Sequence, residues 1–172
     1  YTNDEYTVFH LNDFDEFNNS KFILSNKFLG MDENEFEELL VPCFKEPIIK
    51  NFNYFKKFLL PNSDSVLVFE KRKVDNEEIP VIQIWYPRIL AEMLKSIFTK
   101  EFQLDLNNAI KCFKIYDYMN MDEETEQTEK FIESQKEFLT KDDLILIMRL
   151  NLENQLSEIM EDLFWRFYDD DD

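Results

Sequence analysis

The stretch Ser65–Phe98, SVLVFEKRKVDNEEIPVIQIWYPRILAEMLKSIF, decides how the rest of the chain is read. It has the form of a β-hairpin that runs straight into a helix. Ser65 to Lys73 begins apolar and ends charged, Val74-Asp75-Asn76-Glu77 carries turn chemistry, and Ile79 to Tyr86 supplies the second strand. The run Val81, Ile82, Ile84 and Trp85 is nearly continuous in apolar residues, which predicts a strand covered on both faces over its inner half. Pro87 suits a first helical position, where its missing N–H costs nothing. Ile89, Leu90, Met93, Leu94, Ile97 and Phe98 then recur in pairs four residues apart, the pattern of an amphipathic helix. A two-stranded ribbon is marginal alone, so this one must pack on helices or gain strands from the N-terminal region.

Toward the N-terminus, Tyr6, Phe9, Phe14 and Phe17 lie among Asp and Asn residues, and Lys21-Phe22-Ile23-Leu24 reads as a short strand. Asp32 with Glu35 has capping-box form and predicts a helix with Phe36, Leu39 and Leu40 on its apolar face, ended by Pro42. Pro47 opens a further helix in its first turn, with Ile48, Phe52, Phe55 and Leu59 at helical spacing. Pro61-Asn62-Ser63-Asp64 is a turn cluster.

Toward the C-terminus, Ala109, Cys112, Phe113 and Tyr116 predict a helix ending near Met119. The acidic run Asp122-Glu123-Glu124-Thr125-Glu126 is either a linker or a helix start, with Phe131, Ile132, Phe138 and Leu139 continuing an apolar face. Thr140 and Asp143 again have capping-box form. The helix after them is predicted to reach Tyr168, about 42 Å at 1.5 Å per residue. Ile145, Leu152 and Ile159, with Leu156 and Leu163, would give it a heptad-like seam for its own helices or a partner's.

The 172 residues suffice for a real core, and 18 Phe, 7 Tyr and 2 Trp exclude disorder for most of the chain. The expected fold is α+β: mainly helical, with a small central antiparallel hairpin or sheet and a long C-terminal amphipathic helix. Residues 1–121 are expected to form the α+β core around residues 65–98. Residues 122–172 are expected to form an acidic helical region packed on that core or on a partner. The bias toward Phe, Asn, Ile, Lys, Asp and Glu is that of an AT-rich genome.

Chemistry is narrowed mainly by what is missing. With Gly30 as the one glycine, neither a dinucleotide-binding nor a P-loop fingerprint can be written. His10 is the one histidine, so His-pair zinc sites are excluded and any Ser/His/Asp or Cys/His set would hang on it. Cys43 and Cys112 sit far apart among apolar neighbours and read as reduced core thiols of a cytoplasmic protein. No apolar run has transmembrane length and no secretory signal opens the sequence, which starts without Met. No catalytic, cofactor-binding or metal-binding residues are assigned.

The net charge of −18 is unevenly laid out. Residues 1–42 carry ten acids and two bases, residues 43–73 three acids and seven bases, and residues 122–172 seventeen acids and five bases. Such a surface repels phosphate backbones, so direct nucleic-acid binding is not expected, and it attracts a basic protein. The residues expected to meet that partner are Glu33, Glu37, Glu38, Asp122, Glu123, Glu124, Glu126, Glu161, Asp162, Asp169 and Asp170. Lys71-Arg72-Lys73 is a basic patch with two readings: charges that protect a ribbon edge from pairing, or a small anion-binding patch.

Three functions follow. The first is a non-enzymatic acidic binding or inhibitor protein, with the charge character of immunity proteins and of nucleic-acid-mimicking (DNA-mimic) inhibitors. The second is a structural subunit of a larger assembly, joined or oligomerised through the C-terminal seam. The third is a metal-dependent nuclease, because Asp64, Glu70 and Arg72 weakly resemble the Asp…Glu-x-Lys trio that holds Mg²⁺ and an attacking water. Here the Asp is close to the strand and Arg replaces Lys, and Arg cannot exchange a proton at neutral pH.

Overall fold

The computed structural model describes residues 6–13, 15–30, 32–60 and 69–168. The chain divides into two compact units, Tyr1–Phe102 and Gln103–Asp172. The fold is α+β, with its sheet in the first unit.

Among the described residues that sheet has five strands: β1 (Thr7–Val8), β2 (Ser20–Ser25), β3 (Glu38–Cys43), β4 (Lys71–Val74) and β5 (Glu77–Gln83), in the order β1-β3-β2-β5-β4. It is mixed. β2 pairs antiparallel with β3 and parallel with β5, β1 runs parallel to β3, and β4 and β5 form the antiparallel hairpin. The predicted strand at Lys21–Leu24 is therefore present as the centre of a sheet, wider than the hairpin expected from residues 65–86. The hairpin turn falls where its chemistry places it: Asp75 (φ 50°) and Asn76 (φ 70°) are both left-handed, as a two-residue type I′ loop requires. Residues 65–68 of the expected first strand, and the turn cluster at residues 61–64, lie outside the described residues.

Because side chains alternate along a strand, register sorts the core into two faces. Phe22 lies opposite Val41, and Leu24 lies between Leu39 and Ile82, so these residues share one face. Ile23 lies between Leu40 and Val81 on the other. Phe22 packs on Phe55 with ring centroids 5.1 Å apart, and both are fully buried. On the opposite face Tyr6 packs against a cluster of Ile23, Leu40, Val74, Ile79 and Val81.

The helix predicted after Asp32 does not form. A single 3₁₀ turn, Glu33–Glu35, is followed by β3, and Asp32 makes no side-chain cap bond. The buried Asn26 explains the redirection: its amide donates to the Glu35 carbonyl (2.8 Å) and its oxygen accepts from the Glu37 N–H (2.7 Å). Both polar ends are satisfied, and the chain is turned into the strand. Pro42, expected to stop a helix, sits within β3 beyond Leu39 and Leu40, the two residues that β1 pairs.

The helix predicted from Pro47 is broken into α1 (Lys45–Asn51), a 3₁₀ turn (Asn53–Phe55) and α2 (Lys56–Leu59). α3 (Pro87–Thr99) begins at Pro87 as expected and buries Leu90, Ala91, Met93 and Leu94. Its first turn is capped from a distance. The Arg88 N–H donates to the Glu37 carboxylate (2.9 Å), while Tyr86, at φ 54°, supplies no side-chain cap.

The second unit is helical: α4 (Ala109–Tyr118), α5 (Asp122–Ser134), α6 (Lys141–Arg149) and α7 (Ser157–Tyr168). The acidic run at Asp122 is a helix start, with three acids at the positive end of the macrodipole. α5 ends at Ser134, so Phe138 and Leu139 fall outside it, after a 3₁₀ turn at Lys136–Phe138. The Thr140–Asp143 capping box forms with both reciprocal bonds.

The single 42 Å helix to Tyr168 does not exist. α6 ends in a Schellman motif: Asn151 is left-handed (φ 56°), its N–H donates to the Met148 carbonyl (3.1 Å), and the Leu152 N–H donates to the Ile147 carbonyl (3.0 Å). The same motif closes α4 at Asn120 (φ 57°), with donation from Asn120 to Asp117 (3.1 Å) and from Met121 to Tyr116 (3.0 Å). Leu152, Leu156, Ile159 and Leu163 are buried, but Ile145 is exposed, so the seam is not one continuous stripe. Among the described residues no helix is long and apolar enough to cross a membrane.

Candidate binding surface

The acidic residues picked out by charge fall into two groups once their neighbours are known. In the first unit, Glu38 is half-buried at the start of β3 and accepts from Arg72 (2.8 Å), from the Ser25 hydroxyl (2.8 Å) and from Lys27 (3.2 Å). Burial alone would raise the Glu38 pKa, but these bonds, led by Arg72, outweigh it and hold the carboxyl below its ordinary value. Glu37 is engaged by Arg88 through both backbone and guanidinium. Glu33 stays exposed on its 3₁₀ turn.

In the second unit the acids are mostly displayed. Asp122, Glu123 and Glu126 are exposed on α5 and Glu124 is half-buried beside them. Glu126 forms a solvent-facing i,i+4 pair with Lys130, and Glu123 accepts from Gln127. On α7, Glu161 is exposed, whereas Asp162 is held by Lys136, which also bonds Glu133. Hydrogen bonds to Asp162 and then Glu133 raise the Lys136 pKa and keep it charged. Asp169 and Asp170 lie outside the described residues.

The basic patch resolves unevenly. Arg72 is spoken for: its guanidinium donates to Glu38, to Glu70 (3.2 Å) and to the Tyr6 hydroxyl (3.2 Å), and it lies over the Tyr6 ring. The Glu38 bond, ahead of those from Tyr6 and Glu70, drives its pKa up. Lys71 and Lys73 are exposed on β4, the outermost strand, where charge opposes edge-to-edge pairing. Of the nuclease-like trio, Glu70 and Arg72 bond each other and Asp64 lies outside the described residues. Among the described residues no group of three His, Cys, Asp or Glu side chains is placed to hold a metal ion.

Both cysteines are buried and free, and desolvation pushes each thiol up to about 12, which leaves them inert as nucleophiles at neutral pH. His10 lines an open cleft of about 840 Å³ beside Val8, Lys21, Pro42 and Glu77, where Lys21 pairs with Glu77.

Charge alone did not announce the aromatic surface. Phe164, Trp165 and Tyr168 are exposed on α7, with ring centroids 5.9, 5.5 and 6.1 Å apart in the three pairings. The signal was in the sequence: Ile159 and Leu163 occupy one side of the helix, and positions 161, 164, 165 and 168 occupy another. Comparison with protein-family models, with curated proteins and with solved structures finds no match to this chain.

Proposed function

We propose that the protein is a non-enzymatic binding protein that engages a basic protein partner through the acidic surface of its second unit. The observation that carries this reading is the exposed row Asp122, Glu123 and Glu126 on α5, in a unit with nineteen acids and seven bases. A surface with that excess of negative charge accelerates encounter with a cation-rich surface and discourages contact with phosphates or anionic lipid. An inhibitor of a basic toxin or of a nucleic-acid-binding protein has this chemistry.

The test is a low-salt capture with the immobilised chain, eluted by a salt gradient. It is run beside a variant carrying Asp122→Asn, Glu123→Gln and Glu126→Gln. Partners held by the unsubstituted chain should elute early in the gradient and be retained poorly by the variant, because exposed charge pairs are screened within about 8 Å at physiological ionic strength. Retention that ignores both salt and substitution overturns the reading.

A second reading, a subunit of a larger assembly, is favoured by the three exposed rings of α7. It calls for an isolated chain that self-associates and binds a hydrophobic dye. A well-behaved monomer in sedimentation removes it.

A further inference from the structure

On α7 two kinds of side chain share one stripe. Glu158 and Glu161 are exposed, and Phe164, Trp165 and Tyr168 follow Glu161 at i+3, i+4 and i+7. The stripe from Glu158 to Tyr168 is about 15 Å long at 1.5 Å per residue. Ile159 and Leu163 bury the other side of the helix. The rings are 49%, 65% and 59% exposed, unusual for three contiguous large aromatics on one helix.

The charged residues on the stripe itself, Glu158 and Glu161, are both acidic. Arg166 is the one base within α7, and its guanidinium donates to the Lys136 carbonyl (2.8 Å) and lies 4.6 Å from the Phe167 ring. Lys136 is engaged by Asp162 and Glu133. Glu158 and Glu161 are exposed on the same stripe as three rings, whose π faces carry negative charge. Carboxylates and ring faces attract the same ligand chemistry, a guanidinium that stacks on a ring while its N–H fork meets a carboxylate.

We propose that the α7 stripe Glu158–Glu161–Phe164–Trp165–Tyr168 is a docking site for an arginine-bearing basic segment of a protein partner. Charge complementarity selects this occupant. A second copy of the chain would bring the same acids face to face, and an anionic bilayer would meet the same repulsion, although the rings alone would suit either. The inference rests on the basic-partner reading and assigns it a place: α5 supplies long-range attraction and α7 the contact that discriminates.

The experiment titrates the full chain into fluorescein-labelled 20-residue peptides that alternate Leu with Arg, Lys or Glu, and follows anisotropy at two salt concentrations. The Arg peptide should bind several-fold tighter than the Lys peptide, and the Glu peptide should not bind. Trp165→Ala, at an exposed position, should weaken Arg-peptide binding about tenfold and erase the Arg-over-Lys preference. The pair Glu158→Gln and Glu161→Gln should weaken binding and flatten its salt dependence.

If peptide binding falls on neutralising Asp122, Glu123 and Glu126 but ignores every α7 substitution, the α7 site is overturned and the basic-partner reading stands. If neither cationic peptide binds at low salt, both fall. Binding to vesicles of phosphatidylcholine with phosphatidylserine, or dimerisation in sedimentation, overturns the proposed occupant if Trp165→Ala abolishes it.

Discussion

The same residue types serve opposite ends at the sheet of the first unit and on the α5 and α7 surfaces of the second. In the first, exposed rings such as Phe17 and Phe28 stand singly, Phe22 and Phe55 are fully buried against each other, and Glu38 and Arg72 neutralise one another at the start of β3. In the second, Phe164, Trp165 and Tyr168 stand in solvent, and Asp122, Glu123 and Glu126 face outward from α5. A Phe or a Glu has no fixed meaning until its neighbours are known. Phe22, Phe55 and Glu38 hold the sheet together, whereas the rings of α7 and the acids of α5 are left in solvent.

That contrast breaks most visibly under truncation of a ring. Phe22→Ala should destabilise the protein by about 3–5 kcal/mol in urea unfolding, since the side chain is fully buried and its cavity cannot collapse against the sheet. Trp165→Ala, the larger deletion, should leave stability within about 0.5 kcal/mol. Equal losses at the two positions would mean that the α7 rings are structural.

Charge sharpens the comparison at the next level down. Glu38→Ala should cost about 1–3 kcal/mol at neutral pH, because it removes the shortest of the Arg72 bonds at a partly buried site and the acceptor of the Ser25 hydroxyl. Glu161→Gln should be nearly silent in stability. The pH dependence has a defined sign. The Glu38 carboxyl is held below its ordinary value, so its contribution is present above the unfolded-state pKa and is lost as pH falls through the lower folded one. Acid titration of the Glu38→Ala variant should therefore show a shallower loss of stability than the unsubstituted chain.

The alkaline limb reads the two units separately. Burial raises Cys43 in the first unit, and Cys112 and Tyr116 in the second, each to about 12. A raised folded pKa means that the contribution is complete below the unfolded value, near 9 for the thiols and 10 for the phenol. It declines as pH rises toward 12, by up to about 1.4 kcal/mol per pH unit for each group. Cys112→Ala should therefore lessen the alkaline loss of stability in the second unit, and Cys43→Ala that in the first.

What was legible in the sequence was mostly local chemistry. Val74-Asp75-Asn76-Glu77 carries turn chemistry, Pro87 suits a first helical position, and Thr140 with Asp143 forms a capping box, although the same form at Asp32 and Glu35 makes no cap. Long-range choices were not legible. Phe36, Leu39 and Leu40 fit a helical face and a strand equally, and the buried Asn26, clamping Glu35 and Glu37 from elsewhere in the chain, settled the matter. The acidic surface was read from charge counts, but counts cannot tell that Glu37 and Glu38 are engaged while Glu123 and Glu126 are displayed. Apolar residues on two sides of α7 blur the helical period that would single out Phe164, Trp165 and Tyr168.

The smallest effect concerns the break that separates α6 from α7. A chain with one glycine must still end its helices, and here asparagine takes the left-handed position at Asn120 and Asn151. Asparagine tolerates that conformation because its short amide hydrogen-bonds locally, whereas a β-branched residue there meets its own backbone. Asn151→Val should therefore destabilise the second unit by about 1–2 kcal/mol, and Asn151→Gly should change stability by no more than about 0.5 kcal/mol in either direction. Helix content by circular dichroism separates two causes. If Asn151→Val merely strains the Schellman turn, helicity holds while the urea midpoint falls. If the valine instead lets α6 run on toward Ser157, helicity rises, Leu152 leaves its buried place, and the heptad spacing of Ile145, Leu152 and Ile159 becomes a real seam that dimerises in sedimentation. The asparagine would then be the residue that keeps the α7 stripe on a separate helix.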